Sequence, residues 1–325
     1  MRIQVIGHDQ ISARQYLLWE KMRLLDLAEV EVLAPERWRD EVADAGYVTA
    51  VPTSFADDIS NYMMQVEPHV ARFKPDWILS MTELWRQQTL INLHVAKKYN
   101  AKIAFYRWEN LPIDDLLPEP QQRIEKQALT HGDLICCGTQ SALDITKPRT
   151  KIPLMKIPET GIEVDVFKPS QKPRQNRILY VGRNALEKGI KIIKEAVETL
   201  PYEFVAVHGD QEYGELAELM GTSRVGVVGS VDQPNWQEQF CYVIGEMLAC
   251  GLPVVSTDSG AIPEIWGECG AVRLVQQNNV LVLREAIQEA MNNPPDSELG
   301  VQFVRERYSN DVIAKQYAAM LEVHS

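Results

Sequence analysis

The chain has 325 residues, of which 45% are hydrophobic and 24% are charged. This length fits two domains of ordinary size, and the composition is typical of a soluble globular protein with a sizeable core. The formal net charge of -12 argues against a nucleic-acid partner, because proteins that bind nucleic acid usually carry a basic surface. No apolar run approaches the roughly 20 residues that span a bilayer.

The sequence runs from Met1 directly into a strand, so we expect no signal peptide. The five cysteines are odd in number and match no zinc-site spacing. We therefore expect reduced core cysteines in a cytoplasmic protein.

Short apolar runs alternate with helical periodicity over the first 150 residues or so. The predicted strands are Arg2–Gly7, Val30–Leu33, Tyr47–Val51, Trp77–Ser80, Lys102–Tyr106 and Asp133–Cys137, and the predicted helices are Ser12–Leu27, Glu83–Tyr99 and Gln121–His131. The strands lack inside–outside alternation, as expected when helices cover both faces of a parallel sheet. This rhythm predicts a doubly wound α/β domain.

Dense prolines between Pro148 and Asn176 exclude long helices and indicate a connector with room for one short strand. The alternation then restarts. The predicted strands are Ile178–Val181, Glu203–Val207, Val225–Val228, Pro253–Ser256 and Ala271–Leu274, and the predicted helices are Glu187–Thr199, Gln211–Met220, Tyr242–Cys250, Leu281–Met291 and Arg305–Val323. We predict two α/β domains, residues 1–155 and 156–325, with the last helix packing back onto the first domain as an alternative. Ligands in such folds bind at the carboxyl ends of the strands, so the cleft between the domains is the expected site.

Two glutamates, Glu238 and Glu246, are separated by seven residues around the start of the predicted helix Tyr242–Cys250. Paired carboxylates can accept hydrogen bonds from sugar hydroxyls and from a ribose diol, and a helix N-terminus favours a nearby phosphate. Spacing alone favours the alternative, a solvated loop Glu followed by an ordinary helical Glu.

The segment from Glu238 to Ser256 resembles the Glu-x7-Glu signature of glycosyltransferase family 4. Thr257–Ile265, Ile178–Gly189 and Gly161–Pro169 resemble three further motifs of that family. The resemblance implies a GT-B fold, in which two Rossmann-like, doubly wound domains face each other across a cleft. It also implies a retaining, hexosyltransferase-like enzyme that uses a nucleotide-diphosphate sugar of UDP or GDP type.

By this resemblance, Arg183 and Lys188 hold the donor diphosphate, Glu238 faces the transferred sugar and Glu246 accepts the ribose hydroxyls. Preorganised cations at a departing diphosphate stabilise its developing negative charge. Taken alone, Arg183 and Lys188 are more typical of solvated loop charges. The predicted catalytic residues are Arg183, Lys188 and Glu238, and the predicted donor-binding residues are Gly182, Gln239, Phe240, Cys241, Glu246 and Glu264.

Gln239 and Cys241 replace glycines of the family pattern, which narrows the room near the donor. No Asp-x-Asp triplet occurs, and the six histidines show no metal-ligand spacing. Together with Arg183 and Lys188, this predicts transfer without a metal ion or other cofactor.

The first domain holds the acceptor in this family. The candidates for the acceptor or the cleft are His8, Asp9, Arg14, Glu109 and Asn110. Gly7 stands alone where many relatives carry a Gly-Gly pair. By this resemblance, we expect the acceptor to be a glycan, a lipid or a small molecule. The basic residues of the helix Ser12–Leu27 would suit weak peripheral membrane contact, but Glu20 and Asp26 lie among them. A solvated surface is therefore the favoured interpretation, with membrane contact as the alternative.

Two rival functions stay open. One is epimerisation or hydrolysis of a nucleotide-sugar on the same scaffold. The other is an inactive or regulatory subunit that binds a nucleotide-sugar, which Gln239, Cys241 and the missing Gly-Gly pair favour.

Overall fold

The computed structural model describes residues 1–44, 46–113, 116–209 and 211–325. These residues form two compact units: unit 1 is residues 1–161 with 310–325, and unit 2 is residues 162–309. The chain therefore passes into unit 2 after Gly161 rather than after residue 155, because Thr160 still bonds within unit 1 by donating to the carbonyl of Arg14 at 3.2 Å. The final helix is part of unit 1.

Unit 1 is built on a parallel sheet. Its strands in the described residues are β1 (Arg2–Ile6), β2 (Glu29–Pro35), β5 (Thr49–Val51), β8 (Trp77–Ser80), β9 (Lys102–Arg107), β10 (Leu134–Cys137) and β11 (Leu154–Lys156). They lie in the order β11-β10-β9-β8-β1-β2-β5. Two short antiparallel pairs that the sequence did not predict lie beside it: β3 (Arg37–Trp38) with β4 (Glu41–Val42), and β6 (Thr53–Ser54) with β7 (Met63–Met64). Strands β8 and β10 are buried along their whole length, as continuous apolar runs require.

The helices of unit 1 are α1 (Ala13–Leu24), α2 (Glu67–Phe73), α3 (Gln87–Lys98), α4 (Glu119–His131), α5 (Gln140–Thr146) and α12 (Asn310–Val323). Helix α12 packs against α1, where the Trp19 and Tyr317 rings meet edge to face at 5.1 Å. The residues of α12 that face inward, among them Ile313 and Leu321, join the core of unit 1. This apolar stripe explains why the last helix belongs to unit 1.

Unit 2 has a second parallel sheet. Its strands are β12 (Arg177–Val181), β13 (Glu203–Val207), β14 (Val225–Val228), β15 (Val254–Thr257) and β16 (Val272–Val275), in the order β13-β12-β14-β15-β16. Its helices are α6 (Ile190–Val197), α7 (Tyr213–Thr222), α8 (Tyr242–Ala249), α9 (Ile262–Trp266), α10 (Val280–Asn292) and α11 (Ser297–Arg307). Successive side chains of β12 belong to two different hydrophobic cores. Leu179 packs in one of them, and Ile178 and Tyr180 pack in the other. Helices therefore cover both faces of this sheet.

The sequence predicted most of these elements, but near the C-terminus it predicted one helix where the structure has two. The expected helix Arg305–Val323 is two helices, α11 and α12, that break at Tyr308 and Ser309. The break arises because Tyr308 accepts a hydrogen bond from Ile162 through its carbonyl, and Ser309 forms a β-bridge with the same residue. No local pattern reveals a partner so far away along the chain.

Among the described residues, no helix combines the length and the apolarity needed to cross a bilayer.

Candidate functional site

The turn after β12 brings Lys188 to the carboxyl edge of the unit 2 sheet. Leu186–Lys188 form one short 3₁₀ turn, and Gly189 follows in the left-handed region at φ +62°. A Cβ at Gly189 would lie 1.8 Å from the carbonyl oxygen of Gly229, so only glycine allows this close approach. The turn is thereby fixed against the loop that follows β14.

Glu238 is the centre of the site in unit 2. Its side chain is buried, and one carboxylate oxygen accepts hydrogen bonds from Lys188 Nζ at 2.7 Å and from Ser230 Oγ at 2.5 Å. The loop position expected from the sequence is confirmed, because helix α8 begins only at Tyr242. Ser230 was missed by sequence reasoning, since nothing in its local sequence distinguishes it from other loop serines.

Glu246 lies in α8 and is 3% exposed. Its charge, with those of Glu238 and Lys188, acts on the thiol of Cys241; burial is the main reason that the pKa of this thiol lies well above its usual value. Burial and the nearby Glu238 likewise raise the pKa of Tyr180 to about 12. Lys188 and both glutamates are thus near enough to Cys241 for their charges to act on its thiol.

Arg183 is placed differently. Its guanidinium is 69% exposed and forms an ion pair with Glu187 at 3.0 Å. A pair as exposed as this contributes little stability. The carbonyl of Arg183 accepts a hydrogen bond from the Tyr180 hydroxyl at 2.8 Å, and a Cβ at Gly182 would lie 2.8 Å from that hydroxyl oxygen. Gly182 therefore has a packing role, and the donor-binding role of Arg183 stays a prediction.

The residues after Glu238 have unequal surroundings. Gln239 is exposed, whereas the Phe240 ring is buried against Trp266. The backbone carbonyl of Phe240 accepts a hydrogen bond from the Trp266 indole. Cys241 precedes α8 with φ +60°, a conformation that favours glycine. The last residue of the predicted donor set, Glu264, is exposed in the first turn of α9.

Gly260 supports Glu238 from the loop after β15. It has φ +50°, and a Cβ there would lie 2.2 Å from the carbonyl oxygen of Glu238. The next residue, Ala261, donates its N–H to that same oxygen at 2.9 Å. The loop after β15 therefore fixes the backbone of Glu238.

Gly260→Ala is expected to lower the free energy of unfolding by about 1–3 kcal/mol, because it adds backbone strain and displaces the chain at Glu238. Urea unfolding measures this change. Gly214→Ala is the matched control, since Gly214 is an exposed helical residue with no atom within 4 Å of its added Cβ. The control is expected to be neutral or to stabilise by up to about 1 kcal/mol; equal effects of the two substitutions would contradict the packing argument.

In unit 1, His8 lies directly after β1 among aromatic side chains. Its ring is 4.5 Å from Trp38 and 5.1 Å from Tyr62, centroid to centroid, and its Nδ1 lies 3.2 Å from the Tyr62 hydroxyl. Burial lowers the pKa of His8 to about 4, although the charge of Glu83 opposes the shift. His8 is therefore neutral at physiological pH and acts as a packed, hydrogen-bonded ring.

This lowered pKa predicts a loss of stability in acid. Between pH 6.5 and pH 4 the unfolded chain binds a proton at His8 that the folded chain does not, so the free energy of unfolding falls as the pH falls. His8→Gln is expected to remove up to about 3 kcal/mol of that loss by pH 4. Urea unfolding at pH 7.5 and pH 4.5 measures the change in the free energy of unfolding between the two pH values. His131→Gln, at an exposed position, is the control. If His8→Gln left the pH dependence of the free energy of unfolding unaltered, His8 would not be its source.

Asp9, beside His8, has a raised pKa. Burial is the main cause, and the carboxyl of Glu159, which hydrogen-bonds it, adds to the shift. The Asp9 carboxyl therefore holds its proton more readily than an isolated one does. Glu159 follows β11, which three strands separate from β1 in the sheet, so no sequence pattern placed it beside Asp9.

The other acceptor candidates also lie at ends of elements in unit 1. Glu109 follows β9 and accepts a hydrogen bond from the Trp85 indole at 3.2 Å, and burial raises its pKa. Asn110 is 7% exposed. Arg14 lies in the first turn of α1, where its carbonyl bonds Thr160. None of these contacts tests a role in acceptor binding.

A partly buried ion pair missed by sequence reasoning lies beside these candidates, after β8. Glu83 pairs with Arg86, and the Arg86 guanidinium also donates to the carbonyl of Ile59. Burial alone would raise the pKa of Glu83, but the hydrogen bonds and charge of Arg86 lower it overall. Within the described ranges, no three His, Cys, Asp or Glu side chains are arranged to hold a metal ion.

Two parallel sheets, each followed at its carboxyl edge by polar side chains, define the class of fold as GT-B. Sucrose-phosphate synthase from Thermosynechococcus elongatus superimposes with a TM-score of 0.78, 16% identity, and coverage of 99% of this chain and 98% of that one. Anabaena HepE, solved with UDP and glucose, superimposes with a TM-score of 0.73 and 14% identity, and the match covers 99% of this chain and 100% of that one. The predicted fold class is confirmed.

The match to a family model lies within unit 2. Residues 164–293 match the family model described as "Glycosyl transferases group 1". The sulfoquinovosyl transferase SQD2 of Arabidopsis thaliana is 28% identical over 269 residues, which cover 67% of this chain and 49% of that protein. The chain thus spans about half the length of this curated relative. Both matches support the predicted class of enzyme, a glycosyltransferase.

Proposed function

We propose that the chain is a retaining glycosyltransferase that moves a sugar from a UDP- or GDP-type donor to a hydroxyl acceptor without a metal ion. The observation that carries the proposal is the cluster at the carboxyl edge of the unit 2 sheet. There the Lys188 ammonium lies 2.7 Å from a buried Glu238, and Glu246, in the helix α8 that follows, is buried too. A nucleoside diphosphate needs such a cation, and its ribose and sugar need such carboxylates.

In the proposed reaction, the bond between the sugar C1 and the β-phosphate oxygen breaks and a bond from C1 to the acceptor oxygen forms. The acceptor proton passes to the departing phosphate, so no separate general base is required. Lys188 and Arg183 supply the positive charge that the leaving diphosphate needs. Glu238 accepts a hydrogen bond from the transferred sugar, and Glu246 accepts those of the ribose. Retention of configuration is part of the proposal and rests on the family resemblance.

Unit 1 is proposed to bind the acceptor at the carboxyl edge of its sheet. His8, Asp9, Glu109 and Asn110 follow strands β1 and β9 there, and Arg14 begins the first helix. The acceptor classes are those expected from the family: a glycan, a lipid or a small molecule. A cytoplasmic location is also proposed, since the described cysteines are free thiols, all buried.

A panel of UDP- and GDP-sugars tests the donor. A donor that binds the native state raises the melting temperature, and the rise grows with the ratio of the donor concentration to its dissociation constant. The donor that gives the largest rise is then incubated with an acceptor panel, with and without EDTA, and the anomeric configuration of the product is read by NMR. An α-linked product from an α-linked donor, unaffected by EDTA, supports the proposal.

Other outcomes separate the rivals. Free sugar or an epimerised nucleotide-sugar would indicate a hydrolase or an epimerase. A donor that binds but is never turned over, across the whole acceptor panel, would indicate a binding subunit. An inverted product would overturn retention alone.

A further inference from the structure

The Lys188 ammonium has a second partner besides Glu238. Its Nζ lies over the indole ring of Trp236, 4.7 Å from the ring centroid. The lysine side chain is 22% exposed, and Trp236 is half-buried. The ammonium is therefore held between a carboxylate and an aromatic face.

Trp236 belongs to the segment 232–237, which separates β14 and Ser230 from Glu238. Gln233 and Trp236 donate their backbone N–H groups to each other's carbonyls, at 2.8 and 3.2 Å. The carboxylate of Asp232 accepts hydrogen bonds from Ser259 Oγ at 2.6 Å, from the N–H of Gly260 at 3.1 Å and from Gln237 Nε2 at 3.1 Å. The segment is therefore a fixed turn, tied to the same loop that supports Glu238, and it sets the position of the ring.

We propose that Trp236 is a positioning residue for Lys188, one that keeps the ammonium in the donor pocket when Glu238 turns from the lysine to the transferred sugar. This inference rests on the proposed function. A carboxylate that neutralises Lys188 competes with the donor diphosphate for the same charge. An aromatic face attracts a cation through its quadrupole without neutralising it, so the full positive charge stays available to the phosphates.

UDP and GDP are the probes, and isothermal titration calorimetry of the full chain measures their dissociation constants. Trp236→Leu is expected to weaken the better-bound nucleotide by about three- to tenfold, the range of a partly exposed cation–π contact. Trp236→Phe keeps an aromatic face and is expected to restore most of the affinity. Asn235→Ala, at the exposed neighbouring position in the same turn, is the matched control and should leave the affinity unchanged.

A double-mutant cycle separates positioning from direct contact. If Trp236 acts through Lys188, Trp236→Leu causes no further loss of affinity in a Lys188→Met background. A full loss in that background would mean that the ring contacts the nucleotide itself, which overturns the proposal. If Trp236→Leu does not fold, Trp236→Met fills similar volume without a π face and carries the same expectations.

The outcomes distinguish the two proposals. A wild-type protein that binds neither UDP nor GDP contradicts the proposed function. If the wild-type protein binds one of them, and Trp236→Leu and Trp236→Met bind it equally tightly, the proposed function stays intact. The role of Trp236 is then refuted.

Discussion

Replacing Lys188 with Met is expected to lower the rate of sugar transfer about 100- to 1000-fold, the cost of removing one preorganised group that stabilises transition-state charge. The structure places this ammonium 2.7 Å from Glu238 and fixes the turn that carries it through Gly189. Methionine retains much of the length of the side chain but has no charge for the departing diphosphate. Steady-state kinetics with the best donor from the panel measures the loss, which should appear in kcat as well as in kcat/KM.

Lys191→Met is the matched control for this prediction. Lys191 lies three residues further along, in α6, and is exposed. Because Lys188→Met also removes a partner of the buried Glu238, the melting temperature of each variant must be measured, and the rate compared only where the protein is folded. A folded Lys188→Met variant with a rate within threefold of the wild type would contradict the role of this residue.

The sequence predicted the strands well because each is a short apolar run with clear ends. Trp77–Ser80 and Val225–Val228 were predicted with the bounds that the structure has. Helix starts were less accurate. The helix expected from Glu187 begins at Ile190, because Leu186–Lys188 form a 3₁₀ turn closed by Gly189 in the left-handed region. Such a start depends on the close approach of Gly229, which lies forty residues away and leaves no local signal.

The candidate site was predicted in part. Family motifs predicted Glu238 and Lys188 as site residues, and the structure brings these two into contact. The motifs could not show the ring of Trp236 or the hydroxyl of Ser230, because both reach the site through the path of the loop after β14. Arg183 illustrates the opposite case, since its motif position is clear but its side chain pairs with Glu187 at the surface.

Glu125→Leu is expected to lower the free energy of unfolding by about 3–5 kcal/mol, because it leaves a buried guanidinium without its carboxylate. Arg107 and Glu125 are each 1% exposed and pair at 3.0 Å, and Arg149 binds the same carboxylate at 2.9 Å. Urea unfolding followed by tryptophan fluorescence suits this measurement, since Trp19, Trp38, Trp77, Trp85 and Trp108 all lie in unit 1. Arg107→Met combined with Glu125→Leu is expected to recover much of the loss, since an apolar replacement of both charges removes the cost of burying either one.

Glu119→Gln is the control on the same helix, α4. Glu119 forms an ion pair with Arg123 in which both side chains are 75% exposed. Water and salt screen such a pair, so its loss should cost less than about 1 kcal/mol. The contrast between the two glutamates tests burial as the cause, because each loses one carboxylate that pairs with arginine on the same helix. If Glu125→Leu cost no more than Glu119→Gln, or if the double variant were less stable than Glu125→Leu alone, the desolvated charge of Arg107 would not be what makes Glu125 necessary.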